Sequence, residues 1–333
     1  MAFYPPGPCL PRSLETVYQF RPYNNTDPPH LAELWRSQPP QRGLMQPISA
    51  LLLEQFLFSK PYFDPAGLIV ALEDGKRVGF AHAGFGPNEE GSALSFDMGT
   101  TYLLMLAGGV NNPALADELL ARCEAYLRER GATVIYGGGI RPLNGFYLGL
   151  YGGSELPGVL DTDAVFGDAC RRNGYRAIDR VTILQRNISE YRPQITREQR
   201  QLRRTVASGE SYCPPSANWW EACTTGSFER LDFYVQATDT MQLLGKVSFW
   251  DVEPLSTGWG VPTAGMYDLE VAPESRRKGL AKFLLGEAFT RLRNRGIVMV
   301  EAQTMQHNAP ALSLYSNLGF ETLGYGEVFR KDT

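Results

Sequence analysis

Two stretches of the chain carry the clearest helical pattern. Between residues 113 and 130, Leu115, Leu119, Leu120, Cys123, Tyr126 and Leu127 recur every three or four positions, the period of a helix with one buried face. Asn112 precedes them as a cap, Pro113 occupies the first helical position, and Gly131 marks the stop. Between 279 and 296 the spacing returns in Leu280, Ala281, Leu284, Leu285, Ala288 and Leu292, stopped by Gly296. Short apolar runs flank each helix. "GLIVALEDGKRVGFAHAGF" predicts a hairpin turned at Asp74-Gly75, and "TTYLLMLAGG" and "ATVIYGG" predict strands. "DAVFGDACRRNGY" then predicts a helix and "RVTILQRNI" a strand. In the second half, "ERLDFYVQATDTMQLLGKVSFWDVEP" gives two strands and "AGMYDLEVAP" and "IVMVEAQT" one each. "NAPALSLYSNLG" gives a helix and "FETLGYGEVFRK" a closing strand. Strands alternating with helices, twice over, predict an α/β (α+β, mixed-sheet) class.

The length of 333 residues fits two domains of roughly 150 residues each. The expected division is 1–188, a basic connecting helix at 189–210, and 211–333. Thr196 and Gln199 have capping-box spacing for that connector. It carries Arg192, Arg197, Arg200, Arg203 and Arg204 against Glu198, which reads either as a solvated face or as a site for phosphate or an acidic partner. Glycines and aromatics fill 137–158, either a substrate-facing loop or a structural Ω-loop. The proline-rich start, "MAFYPPGPCLPRS", is expected to wrap the surface.

Composition removes some classes. A formal net charge of -4 argues against a general nucleic-acid binder. Cys9, Cys123, Cys170, Cys213 and Cys223 form no CxxC pair and read as reduced thiols. His30, His82 and His307 lie too far apart in sequence to suggest a metal site. No signal-peptide core and no membrane-length apolar run is visible, so a cytoplasmic protein without a membrane partner is expected.

Against that acidity, "ESRRKGLAKFLL" places Arg276, Arg277 and Lys278 directly before Gly279 and a helix. The first N–H groups of a helix have no internal partner, and the helix dipole adds partial positive charge, so such a start binds phosphate. Gly279 lets the backbone approach an anion, and Ala281 leaves the next turn bare. The bland alternative is a basic surface turn. Two further features accompany it: the preceding strand ends Leu269-Glu270-Val271, and downstream runs "NAPALSLYSNLGF" from Asn308 to Phe320.

Together, Arg276-x-x-Gly279-x-Ala281 and the Asn308…Leu314-Tyr315…Leu318-Gly319-Phe320 segment resemble the GNAT superfamily of acyl-CoA-dependent N-acyltransferases. The clear match covers about 265–325, with weaker strand agreement back to about 228. The resemblance implies acetyl-CoA as cosubstrate, held by Leu269, Val271, Arg276, Arg277, Lys278, Gly279, Leu280 and Ala281, with Asn308 on the pantetheine arm. It implies that Tyr315 protonates the leaving thiolate, as a phenol beside developing negative charge can. A backbone N–H near Val271 would polarise the thioester carbonyl. For the base, Asp268, Glu270 and Glu301 lie on the strands that flank the family's cleft; Glu270 is favoured, Glu301 next, and a water chain or His307 stays open.

Aligning Glu118-Leu119-Leu120 with Phe283-Leu284-Leu285 sets Asn111 under Arg276, Ala114 under Gly279 and Ala116 under Ala281. Cys170 takes the place of Tyr315, and Gly174-Tyr175 that of Gly319-Phe320. The first half thus resembles a GNAT domain whose cofactor motif has decayed, giving two tandem GNAT-like domains, each a mixed sheet flanked by helices. Gly108 and Gly109 leave weak anion binding there open. The reading is an N-acetyltransferase whose C-terminal domain moves acetyl to a primary amine, small-molecule or peptide, by direct attack, while the N-terminal domain shapes the acceptor pocket. The alternatives are a non-catalytic CoA-binding sensor or scaffold, or an aminoacyl-tRNA-dependent transferase. A homodimer is left open.

Overall fold

Asp74 and Gly75, at φ 49° and 78°, make the two-residue turn that joins the first predicted hairpin. In the computed structural model, which describes residues 18–193 and 196–332, that hairpin is one part of a single mixed sheet. The proline-rich start lies outside the described residues, as does Cys9. The strands are β1 (Gln19–Pro22), β2 (Leu68–Glu73), β3 (Lys76–Pro87), β4 (Leu94–Leu106), β5 (Val134–Gly137), β6 (Val159–Leu160), β7 (Arg176–Asn187), β8 (Val206–Tyr212), β9 (Arg230–Ala237), β10 (Leu243–Trp250), β11 (Thr263–Val271), β12 (Met299–Met305) and β13 (Glu321–Asp332). The helices are α1 (Pro28–Arg36), α2 (Ala50–Leu53), α3 (Pro113–Glu129), α4 (Ala164–Arg172), α5 (Arg197–Thr205), α6 (Trp219–Thr225), α7 (Leu255–Trp259), α8 (Leu280–Asn294) and α9 (Ala309–Asn317). None is long and apolar enough to cross a membrane.

The two halves repeat one plan. Each has antiparallel strands leading into one parallel pair, β4 with β5 and β11 with β12. The long amphipathic helix follows the first strand of each pair, α3 in one half and α8 in the other. After each pair come helices of nine residues, α4 and α9, ending at Gly174 and Gly319, both at positive φ.

The closing strands, however, are exchanged. The order across the sheet runs β1-β2-β3-β4-β5-β13-β7-β12-β11-β10-β9-β8. β7 ends the first half of the chain but pairs with β12 of the second. β13 ends the second half but pairs with β5 of the first. Side chains follow the strands: Phe329 packs in the core under α3, and Leu184 and Ile188 pack in the core under α8. The 1–188 and 211–333 division therefore separates the chain by order but not by packing. Pattern alone could not show this, because β7 and β13 have similar lengths and either would complete either sheet.

A third cluster spans both halves, joining Trp35, Phe80 and Tyr147 to Trp250 and Tyr267. Segment 137–158 contributes Phe146, Tyr147 and Tyr151 to it, all buried. Most of that segment is therefore structural, and only its ends reach the cleft described below. Beneath that cleft, Glu301 is fully buried. It accepts the Ser154 N–H at 2.6 Å and pairs with Arg42 at 2.6 Å, tying the halves together.

Candidate active site

Pairing between β11 and β12 stops at Met266 with Ala302, although the strands continue to Val271 and Met305. Between their separated ends opens a cavity of about 1210 Å³. A bulge sits where β11 leaves its partner: the register against β10 shifts between Lys246 and Ser248, and Asp268 has φ 51°. Leu269 and Val271 pack toward the α8 core, which leaves Asp268 and Glu270 on the opposite side of the strand.

The turn from β11 into α8 is open to an anion. Arg276 donates its Nε to the Val271 carbonyl (3.0 Å), folding back onto its own strand. Arg277 and Gly279 both have left-handed backbones, at φ 59° and 77°. A Cβ added at Gly279 would meet nothing nearer than Leu202 Cδ1 at 4.0 Å, so the space in front of the helix is unfilled. No side chain caps α8, and its first backbone bond is from the Phe283 N–H to the Gly279 carbonyl. The first-turn N–H groups are thus presented toward the cleft.

The equivalent place in the first half is closed. Asn112 caps α3 with its own side chain, accepting the Leu115 N–H (3.1 Å). Ser37 Oγ accepts the Gly108 N–H (2.7 Å), and a Cβ on Gly108 would lie 2.0 Å from the Ser37 carbonyl. Gln38 donates to the Leu106 carbonyl (2.7 Å). The end of α1 therefore fills the approach to Gly108, while Gly109, at φ 84°, has nothing within 4 Å of an added Cβ. Cys170, in the place of Tyr315, is fully buried with its thiol pushed well up by desolvation.

The structure brings most of the expected site residues to one cleft. Leu269, Glu270, Val271, Arg276 and Arg277 line it from β11 and the turn, and Gly279, Leu280 and Ala281 from the helix start. Asn308 and Tyr315 line it from α9. Asn308 also caps α9 through the Ala311 N–H (3.3 Å) and donates to Thr304 Oγ1 (3.2 Å). Tyr315 is 6% exposed; burial first, and then the charge of Glu155, push its phenol up to about 12, so it is protonated at neutral pH. Two expected residues lie elsewhere. Lys278 is exposed beside the cleft and not on its wall. Glu301 is sealed below it, because its position on β12 faces the other half of the protein. His307 is outside the cleft and pairs with Asp179 at 2.5 Å.

Three cleft residues carried no signal in the sequence. Arg141 pairs with Asp268 across the halves, and its Nε lies 3.8 Å from Glu155. Gln303 donates its Nε2 to the Glu155 carbonyl (2.9 Å). Glu155 lies within "GGSELPG", an acid among glycines and apolar residues, and nothing local reveals its distant neighbours. Among the described residues, no group of three or more metal-ligating side chains is assembled.

Residues 197–320 match the model of the acetyltransferase (GNAT) family. The GNAT match lies in the C-terminal region and covers less than half of the chain. Over 57 residues the chain is 35% identical to a [ribosomal protein bS18]-alanine N-acetyltransferase of Salmonella typhimurium, a match covering 17% of this chain and 38% of that protein. Among solved structures, a GCN5-related glucosamine N-acetyltransferase region in a fungal multi-domain β-N-acetylglucosaminidase superposes with TM-score 0.72 at 17% identity. That superposition takes in 96% of this chain and 38% of the fungal one. A GCN5-related N-acetyltransferase from Sphaerobacter thermophilus gives TM-score 0.64 at 15% identity, over 95% of both chains. A tandem GNAT protein from the clavulanic acid biosynthesis pathway gives 0.64 at 14%, over 95% of this chain and 98% of that one. These superpositions show the fold: two GNAT-like units in one chain, the second matching the family in sequence.

Proposed function

We propose that the protein is an acyl-CoA-dependent N-acetyltransferase, with acetyl-CoA bound by the C-terminal GNAT domain and a primary amine as acceptor. The observation that carries this reading is the contrast between the halves: α8 starts uncapped on a left-handed glycine facing an open cleft, while α3 is capped and its turn plugged. The residues present fit the cosubstrate. Its pyrophosphate would lie against the N–H groups of Leu280 and Ala281, with Arg276 and Arg277 supplying charge. The β12-facing edge of β11, which pairs with no strand beyond Met266, offers backbone groups at Leu269 and Val271 to an extended arm, and Asn308 faces the same space. Acetyl-CoA supplies an activated thioester carbonyl when bound.

The chain's own groups do the rest. A β11 N–H near Val271 polarises that carbonyl. Tyr315, protonated and buried, donates to the departing sulfur. Arg141, Glu155 and Leu156 of the N-terminal domain face the acceptor side. That is how the degenerate half contributes: it has lost the anion site and forms a wall of the cleft. Glu301 belongs to the domain tie in this reading and not to the chemistry.

The test is thiol release from acetyl-CoA with a panel of primary amines: alkylamines, amino acids, amino sugars, polyamines and short peptides with free N-termini. Turnover with at least one class, lowered in Tyr315→Phe at unchanged acetyl-CoA affinity, supports the reading. Tight acetyl-CoA binding with no turnover on any class favours a CoA-binding scaffold.

A further inference from the structure

An amine at neutral pH is an ammonium ion and must lose a proton before it can attack a thioester. The C-terminal domain offers few groups for that task. Asp268 is held by Arg141, Glu301 is sealed beneath the cleft in its pair with Arg42, and Glu270 stands open to solvent. Glu155 differs from all three. Its side chain is 30% exposed, and it lines the same cleft as Tyr315. Among the described residues its carboxylate makes no hydrogen bond; the nearest cation is Arg141, at 3.8 Å, which is engaged by Asp268.

The backbone that carries Glu155 is fixed on both sides. Gln303 of β12 binds its carbonyl, the Ser154 N–H is held by Glu301, and the Ser154 carbonyl accepts Trp250 Nε1 (2.9 Å). Each of these partners comes from the second half of the chain. Beside Glu155, Gln303 is 9% exposed, lines the cleft, and keeps its Oε1 buried without a hydrogen-bond partner. A carboxylate without a hydrogen bond, and an amide oxygen without a donor on the residue that binds its backbone carbonyl, are complementary to an N–H-rich cation.

We propose that Glu155, contributed by the N-terminal domain, is the proton acceptor for the acceptor ammonium, which Gln303 Oε1 helps to hold. The inference rests on the transferase reading above. An N–H bond breaks, the proton passes to the Glu155 carboxylate, and the electron pair left on nitrogen attacks the thioester carbonyl. As the carbon–sulfur bond breaks, sulfur takes the Tyr315 proton, and the phenol is replenished by the second proton that nitrogen loses. Glu155 then releases its proton to water, so one proton leaves per acetyl group moved.

The electrostatics suit this task. Desolvation raises Glu155 to about 7, with Asp268 reinforcing and Arg141 opposing the shift. Of the other charged or titratable groups facing it, Tyr315 is held protonated, and Tyr267 is pushed further up by its own burial. A base poised near the working pH accepts a proton readily and returns it to solvent.

The test uses the full chain as wild type, Glu155→Gln and Glu155→Asp. Carbon-13 detection of glutamate carboxyls in the unliganded protein is expected to show one group titrating near pH 7 that is missing from Glu155→Gln. With acetyl-CoA and the fastest amine of the panel, wild-type kcat/KM is expected to rise through pH 7. Glu155→Gln should lose about 10²–10⁴-fold and that rising limb, with calorimetric acetyl-CoA affinity unchanged. Glu155→Asp should keep the limb at a reduced rate, which separates base loss from misfolding. A wild-type Glu155 that titrates below pH 5, or a limb that survives in Glu155→Gln and disappears in Glu270→Gln, overturns the proposal while leaving the transferase reading intact. Wild type that fails to bind acetyl-CoA overturns the transferase reading itself.

Discussion

Replacing Arg42 with Met removes the cation from the buried carboxylate that joins the two halves. Glu301 is 0% exposed and Arg42 is 33% exposed, with 2.6 Å between them. Leaving one member of a fully buried pair without its partner costs about 3–5 kcal/mol. Water reaches Arg42, so the pair is partly screened and about 2–3 kcal/mol is the better figure for this site. Arg42 also lies over the Trp259 ring at 3.9 Å, a contact worth about 0.5–1 kcal/mol. Met keeps most of the aliphatic stem, so packing loss adds little. The deficit should be about 3 kcal/mol, which for a chain of this length lowers Tm by about 4 °C. Urea unfolding followed by tryptophan fluorescence gives the free energy, and calorimetry the Tm. Arg42→Met/Glu301→Gln should recover at least half the deficit, because the uncompensated charge is gone. A single variant within about 0.5 kcal/mol of wild type, or a double variant no better than the single one, would refute the view that Glu301 is a structural tie.

Gly279→Val should weaken acetyl-CoA binding at least tenfold, since a β-branched residue resists φ 77° and its side chain enters the space before the helix; isothermal calorimetry reads it. Asn112→Ala should cost about 1 kcal/mol of stability through loss of the α3 cap and leave acetyl-CoA affinity unchanged, checked by urea unfolding and calorimetry. Residues 1–188 expressed alone should be insoluble or molten, because β5 and β7 lose the strand between them; a sharp one-dimensional proton NMR spectrum from that fragment would contradict the exchange. Because Glu155 is raised by burial, the folded state binds a proton there that the unfolded state has lost, so that part of the stability is present below about pH 4.5 and disappears as pH rises through 7. Glu155→Gln should therefore gain on wild type by about 1–2 kcal/mol between pH 5 and pH 8, measured by urea unfolding at both values.

The repeated pattern of strands and amphipathic helices was legible because each α3-like helix buries one face at a regular period. Asn112, Pro113 and Gly131 punctuate α3 where the sequence reading puts them. The proposed cosubstrate side of the cleft was legible for a related reason: Arg276 to Ala281 and Asn308 to Tyr315 are contiguous segments, and the fold brings both to one cleft. What was hidden depends on distant pairing. β8 escaped because "VASGESY" alternates weakly and carries a glycine, and its pairing with β9 defines it. The exchange of β7 and β13 has no local signature. Glu301 looked like a strand carboxylate beside a cleft, and only the approach of Ser154 and Arg42 shows that it faces inward. Glu155 is the converse, an unremarked acid in a glycine-rich segment that the fold carries to the cleft wall.

In the proposed transferase the second half of the chain keeps an acyl-CoA site that the first half has lost. Isothermal titration of acetyl-CoA into the full chain, alongside an Arg276→Glu/Gly279→Asp variant, counts the sites. One site per chain is expected in wild type and none in the variant. Two sites in wild type, or one that survives in the variant, would contradict that reading.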